Sequence, residues 1–132
     1  MVAIPENVLA LLKDPEAKKV ISTVCPGNRP HTITAGTISP LGDSQMMVGE
    51  VLMKKTAANL GSNPNASFNV MKGMESYEIH CVCKEQVKSG PVYDGMKAVC
   101  DKLKLPLASV FIFDVISVYN ESANPDCGKK IA

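Results

Sequence analysis

The sequence has no Trp and only three Tyr and three Phe, so aromatic residues make up 5% of its 132 positions. Stacking single-stranded nucleic acid needs several rings on one surface, and no such platform is expected here. Arginine is nearly absent, with Arg29 alone beside thirteen Lys, and the basic and acidic residues balance to a formal net charge of +1. A broad polyanion-binding surface is therefore disfavoured and nucleic acid is not an expected partner, although a pair such as Lys54-Lys55 suffices for one small anion. No apolar run approaches the roughly 20 residues needed to cross a bilayer, and the stretch around Phe111 is interrupted by Asp114. The first apolar run, after Pro5, is broken by Asn7 and Lys13 and does not fit a secretory leader. The five Cys follow no zinc or iron–sulfur spacing, so no metal site is expected and a reducing cytoplasm is the expected compartment. A Ser/His/Asp triad, a Walker loop and a dinucleotide fingerprint are all missing.

What is there suffices for one core: 45% of residues are hydrophobic and 20% charged, which excludes a disordered chain and predicts one domain over 1–132. The core is expected over about 5–120, with 121–132 a loose polar tail. IPENVLALLK reads as a short helix, with Pro5 in a first-turn position and Pro15 as its stop. KKVISTVC is β-branched and apolar and reads as a strand; Gly27 and Asn28 supply a tight reversal into a return arm, HTITAGTIS. SPLGDS is a second turn, and QMMVGEVL a third strand. KKTAANL carries strong helix formers and is expected to end at Gly61. ASFNVMK and SYEIHCVCKEQV read as strands, the latter placing Tyr77, Ile79, Cys81 and Cys83 on one buried face. PVYDGMKAVCDKLKL is a longer surface helix, and ASVFIFDVISVYNE the last strand.

The short connections require antiparallel neighbours, since a parallel crossover takes a dozen or more residues. A doubly wound sheet is excluded. The economical arrangement is a mostly β, small antiparallel barrel, closed or partly closed, with short helices covering it; an open α+β sandwich is the alternative.

The ordered pattern GNRPHTITAGTI, a strand ending in MVGE, then VLMKKTAANLGSNPNASFNV is similar to the pyridoxamine 5'-phosphate oxidase-like family of split β-barrel flavoproteins, particularly its small FMN-binding members. The resemblance covers about residues 5 to 120. It implies an antiparallel split barrel and a homodimer with FMN near the interface. It implies also that the phosphate lies at Lys55 and Thr56, with Lys54 turned outward or to the partner, and that Thr34, Ala35, Gly36, Met47, Val48 and Gly49 line the ring.

The residues themselves agree with that placement. A phosphate needs a cation and directed donors, and Lys55, Thr56 and the free N–H groups of a helix start supply them together; the plainer reading of Lys54-Lys55 is a solvated helix start. A flavin ring needs a flat slot with backbone groups within reach, which glycines such as Gly36 and Gly49 in extended runs permit. Thr34 and Met47 are equally compatible with half-buried sheet positions. Asn59, three residues after Thr56, serves either the phosphate loop or a structural polar contact. His31, directly after Pro30 with no evident partner, reads as an exposed or turn histidine, and His80 as surface. Cys81 and Cys83 read as core packing.

The expected function is a flavoprotein in electron transfer or general flavin-dependent oxidoreduction, with the flavin carrying the chemistry, no protein catalytic residue, and a redox protein or reduced nicotinamide as partner. The alternative is a non-catalytic or ligand-altered split-barrel binding protein, motivated by the bare face at Ala35 and Gly36. A haem-handling relative would have only His31 as a candidate ligand. A true pyridoxamine or pyridoxine 5'-phosphate oxidase is disfavoured, because the larger family members use arginine and tryptophan in a C-terminal segment and this sequence offers only Arg29.

Overall fold

A computed structural model describes residues 1–132. The β-branched run Lys18–Cys25 forms β1, and Gly27 and Asn28, both at positive φ, reverse the chain into β2 (Arg29–Thr34). Ahead of them, α1 (Glu6–Leu12) buries Val8, Leu11 and Leu12 and closes one end of the core. The return arm does not run on as one strand. It breaks at residues 35–38, where the Ile38 N–H donates to the Ala35 carbonyl, and resumes as β3 (Ser39–Leu41) inside the segment read as a turn. Gly36 therefore lies in a turn, with open space where a Cβ would sit. After Gly42, also at positive φ, β4 (Gln45–Glu50) follows.

Helix α2 (Lys54–Ser62) continues one turn position past Gly61, which keeps helical geometry; the exit is made by extended Asn63, whose N–H donates to the Asn59 carbonyl. The hairpin β5 (Asn65–Lys72) and β6 (Glu75–Val87) comes next, then α3 (Pro91–Lys102) and β7 (Ser109–Asn120). All pairings are antiparallel, in a seven-stranded sheet of order β2-β1-β5-β6-β7-β4-β3. The edge strands β2 and β3 are consecutive in the chain. A five-residue step spans no more than about 18 Å, so the two edges are held close and the sheet curls into a barrel split along one seam. Thr37 bridges β4 and the 35–38 turn: its Oγ1 donates to the Gly49 carbonyl and accepts from the Gly49 N–H, both at 3.0 Å.

The core fills the barrel. Phe68 of β5 and Phe113 of β7 meet edge to face at 5.0 Å, surrounded by Ile21, Met46, Ile79 and Val115. A second cluster lies outside the barrel wall, where Met96 and Cys100 of α3 cover Val110 and Ile112. This explains why β7 carries the continuous apolar run Val110–Phe113: both of its faces are covered there. On β6, Ile79 and Cys81 are buried while Tyr77 and Cys83 are half-buried, and two bulges shift its register against β7. Burial pushes the Cys81 thiol up to about 12, so it stays protonated and packs as a small apolar group.

The segment 121–132 is not loose. It folds back along β7, with the Ile131 N–H donating to the Val118 carbonyl at 2.8 Å and the Asn120 N–H to the Lys129 carbonyl at 2.9 Å. These residues satisfy backbone groups that β7 would otherwise expose at its end. No helix is long and apolar enough to cross a membrane.

Candidate functional site

A cleft of about 1110 Å³ opens between the β2–β3 seam, Met47 of β4, the start of α2 and the outer edge of α3. Its chemistry is one-sided. Lys19, His31, Lys54 and Lys55 line it, and no Asp or Glu does, although the chain carries thirteen acidic residues. Such a lining favours an anion.

The positive charge is concentrated where α2 begins. A helix start leaves backbone N–H groups without intrahelical acceptors and carries the positive end of the helix dipole. Most helices answer this with a capping side chain or an acidic first turn. Here the N-cap is Met53, which offers no side-chain acceptor, the first turn has no acid, and Lys54 and Lys55 occupy its first two positions. Neither lysine forms an ion pair. Leu52, just before the cap, is held at φ 58 and is 77% exposed, a conformation that costs a non-glycine residue about 1 kcal/mol or more. Thr56, in the same turn, is buried, and its Oγ1 is the one buried side-chain polar atom in the chain with no hydrogen-bond partner. Four unfavourable features thus converge on one point, and a bound anion would relieve three of them: the free N–H groups, the lysine repulsion and the orphan hydroxyl.

Of the residues singled out from sequence, Thr34, Ala35, Gly36, Met47, Lys54, Lys55 and Thr56 lie on this cleft. Val48, Gly49 and Asn59 do not. Val48 alternates with Met47 on β4, so its side chain points the other way, into the core, where it is fully buried. Gly49 is approached by protein: an added Cβ would meet Leu107 Cδ1 at 2.9 Å, Met96 Cγ at 3.2 Å and Thr37 Cβ at 3.3 Å. Its small size serves the packing of α3 and the seam. Asn59 faces β1, where its Nδ2 donates to Thr23 Oγ1 at 3.0 Å and to Cys25 Sγ at 3.3 Å. That contact ties α2 to the sheet. Asn59→Ala is expected to lower stability by about 1–3 kcal/mol, since it strips a buried hydroxyl of its partner, measurable as a reduced denaturation midpoint in urea.

The structure brings in residues that local reading leaves out. His31 pairs with Thr23 across β1 and β2 and shares the inward side with Ile33, so it is half-buried on the cleft rather than exposed at a turn. The signal was the period-2 alternation of β2 set against the register of β1. Lys19 lies on the same side of β1; its Nζ reaches only the Leu12 carbonyl at 3.4 Å, and desolvation lowers its pKa. Val99, Leu103 and Leu105 form an apolar rim. Leu103 and Leu105 stand outside α3 because Lys104 takes φ 56: the Leu105 N–H bonds back to the Cys100 carbonyl and the Lys104 N–H to the Asp101 carbonyl, the double closure of a Schellman turn.

No family model matches the sequence, and no curated protein matches it. Solved structures do match in shape. An FMN-binding protein from Syntrophomonas wolfei subsp. wolfei is 17% identical, with a TM-score of 0.82 over 90% of this chain and 86% of that one. HupZ of Group A Streptococcus is 16% identical, with a TM-score of 0.80 over 95% of this chain and 99% of that one. HutZ, the haem storage protein of Vibrio cholerae, is 12% identical, with a TM-score of 0.65 over 92% of this chain and 97% of that one. Identities this low carry architecture alone, and the architecture is clear: the chain has the pyridoxamine 5'-phosphate oxidase-like split-barrel fold.

Proposed function

We propose that this protein binds FMN in the cleft and acts as a flavin redox protein, in electron transfer or general oxidoreduction. The observation that carries the reading is the orphan Thr56 hydroxyl at an uncapped, doubly lysine-bearing helix start. The phosphate would take Lys54, Lys55, Thr56 Oγ1 and the first-turn N–H groups as its donors. The ring would lie along Thr34, Ala35 and Gly36 with Met47 opposite, a surface whose small side chains leave backbone groups accessible. Bound FMN would supply the redox chemistry, and the chain would hold, orient and shield it. The FMN-binding relative from Syntrophomonas wolfei supports this assignment. The cleft exceeds the ~300–1,000 Å³ usual for a small-molecule site, and we propose that a second copy of the chain covers part of it, in a homodimer with FMN near the interface. A redox protein or reduced nicotinamide would be the electron partner. Arg29 does not line the cleft, so a second phosphate ester has no guanidinium to meet it there.

A second reading has its own support. His31 is the one imidazole on a large, acid-free, largely apolar cleft, which also suits haem, with propionates on the lysines, in a non-catalytic binding protein. The visible spectrum separates the two. Native protein, as purified and after reconstitution with FMN and dialysis, should show the flavin absorption bands and release free flavin on heating, and its gel-filtration mass should be that of a dimer. A Soret band in place of flavin bands would favour the second reading. A colourless protein that retains neither would overturn both.

A further inference from the structure

One lysine of the cleft comes from the sheet rather than from α2. Lys19 lies on the same side of β1 as the fully buried Ile21, two residues on, and the register that pairs Val20 with Thr34 carries it alongside Ala35. Both Lys19 and Ala35 line the cleft. The lysine is half-buried, yet it joins no ion pair, and no carboxylate lines the cleft to answer it. Its single hydrogen bond runs from Nζ to the Leu12 carbonyl at the end of α1, at 3.4 Å, longer than the usual ~2.7–3.2 Å. That contact uses one of its three N–H donors. Desolvation lowers its pKa, because burial without a counter-charge disfavours the charged form. A cation held beside the core by so weak a partner is unfavourable unless something on the cleft meets it.

We propose that Lys19 is the cation that faces the ring of the bound flavin and holds the negative charge the ring gains on reduction. The inference rests on the proposed function, in which the ring lies along Thr34, Ala35 and Gly36, the stretch that Lys19 flanks. The phosphate does not need it: Lys54, Lys55, the Thr56 hydroxyl and the first-turn N–H groups already supply donors for its oxygens. Charge decides what Lys19 does. Two electrons from the donor and one proton from solvent leave the ring one unit more negative, and a cation beside it in a partly desolvated site favours that state over the oxidised, uncharged ring. Lys19 thereby sets how readily the protein accepts electrons. The Leu12 carbonyl steadies the ammonium without neutralising it.

The test compares FMN-reconstituted wild-type protein with Lys19→Gln, Lys19→Met and Lys19→Arg. Affinity for oxidised FMN is followed by flavin fluorescence, and the midpoint potential by stepwise dithionite reduction beside a reference dye. Removing the charge should leave the affinity for oxidised FMN within about twofold and weaken that for reduced FMN about tenfold, which lowers the potential by about 30 mV for a two-electron couple. Lys19→Arg keeps the charge and should keep the wild-type potential. His31→Gln, on the same cleft, should also leave it unchanged; a drop there and none in Lys19→Gln would place the ring edge at His31 and overturn the assignment. Equal weakening of oxidised and reduced FMN would put Lys19 at the phosphate, and a lower melting temperature of the FMN-free variants at unchanged potential would make it a cap for α1. Each of these overturns the proposal. Wild-type protein that retains no FMN overturns the FMN reading and this inference together, whereas FMN retained at the same potential in Lys19→Gln and Lys19→Met overturns this inference alone.

Discussion

Phe113→Ala is expected to lower the free energy of unfolding by about 3–5 kcal/mol, read from urea denaturation at unchanged slope. Phe113 is fully buried on β7 and stands in register between Met46 of β4 and Cys83 of β6. Its ring meets Phe68 at an interplanar angle of 86°, the edge-to-face arrangement that adds about 0.5–1.5 kcal/mol to simple burial. The neighbouring ring, Phe68, is itself fully buried on β5, so it could fill the space only by vacating its own. The strands on both sides of β7 are fixed by their own hydrogen bonds, so the void would persist. Set against the roughly 5–15 kcal/mol that stabilises an ordinary domain, the loss is a large share of the total. Phe113→Leu refills most of the volume and should cost clearly less. A loss below about 1 kcal/mol for the alanine variant would mean that the barrel interior is not the stabilising core.

Local chemistry made β1, α1 and the hairpin turn at Gly27-Asn28 legible, because each is specified within a few residues by β-branching, helical spacing or a need for positive φ. The break at 35–38 was not. Its residues, Ala35, Gly36, Thr37 and Ile38, contain no Pro, Asn or Asp, and the turn exists because the chain must pass from one edge of the sheet to the other, which only the closed barrel demands. The tail was misread for a related reason. ANPDCGKKIA is polar in its side chains, but its backbone is what binds it to Val118 and Asn120. At the site, Lys54, Lys55 and Thr56 were legible because a helix start is a local object. Asn59 sits on the same helix, yet its side chain turns to Thr23 and Cys25 on β1, and sequence spacing alone could not decide between that contact and a ligand. His31, Lys19, Leu103 and Leu105 come from three distant stretches that meet only when the sheet curls and α3 docks beside the seam.

Removing both lysines, as Lys54→Ala/Lys55→Ala, is expected to weaken FMN binding by about 2–4 kcal/mol, roughly 1–3 for Lys55 alone, followed by flavin fluorescence in titrations at low and high salt. The salt dependence should shrink in the double variant, since fewer counter-charges remain to be screened. Thermal denaturation of the FMN-free protein should move the other way. Two positive side chains at the positive end of α2 repel the dipole, and replacing each with alanine should stabilise the free protein by about 0.3–1 kcal/mol. Thr56→Val sharpens the contrast, because it keeps the branched shape and deletes only the unpartnered hydroxyl. The free protein should gain about 1 kcal/mol, since nothing hydrogen-bonded is lost and a desolvated polar group is removed, while FMN should bind several-fold more weakly. A helix start that is merely solvated cannot give this pair of opposite signs. Stabilisation with unchanged FMN affinity would place the phosphate elsewhere, and destabilisation on Thr56→Val would show that the hydroxyl has a partner within the fold. Only a site kept unfavourable in the free protein, so that its ligand completes it, loses binding and gains stability from the same substitution.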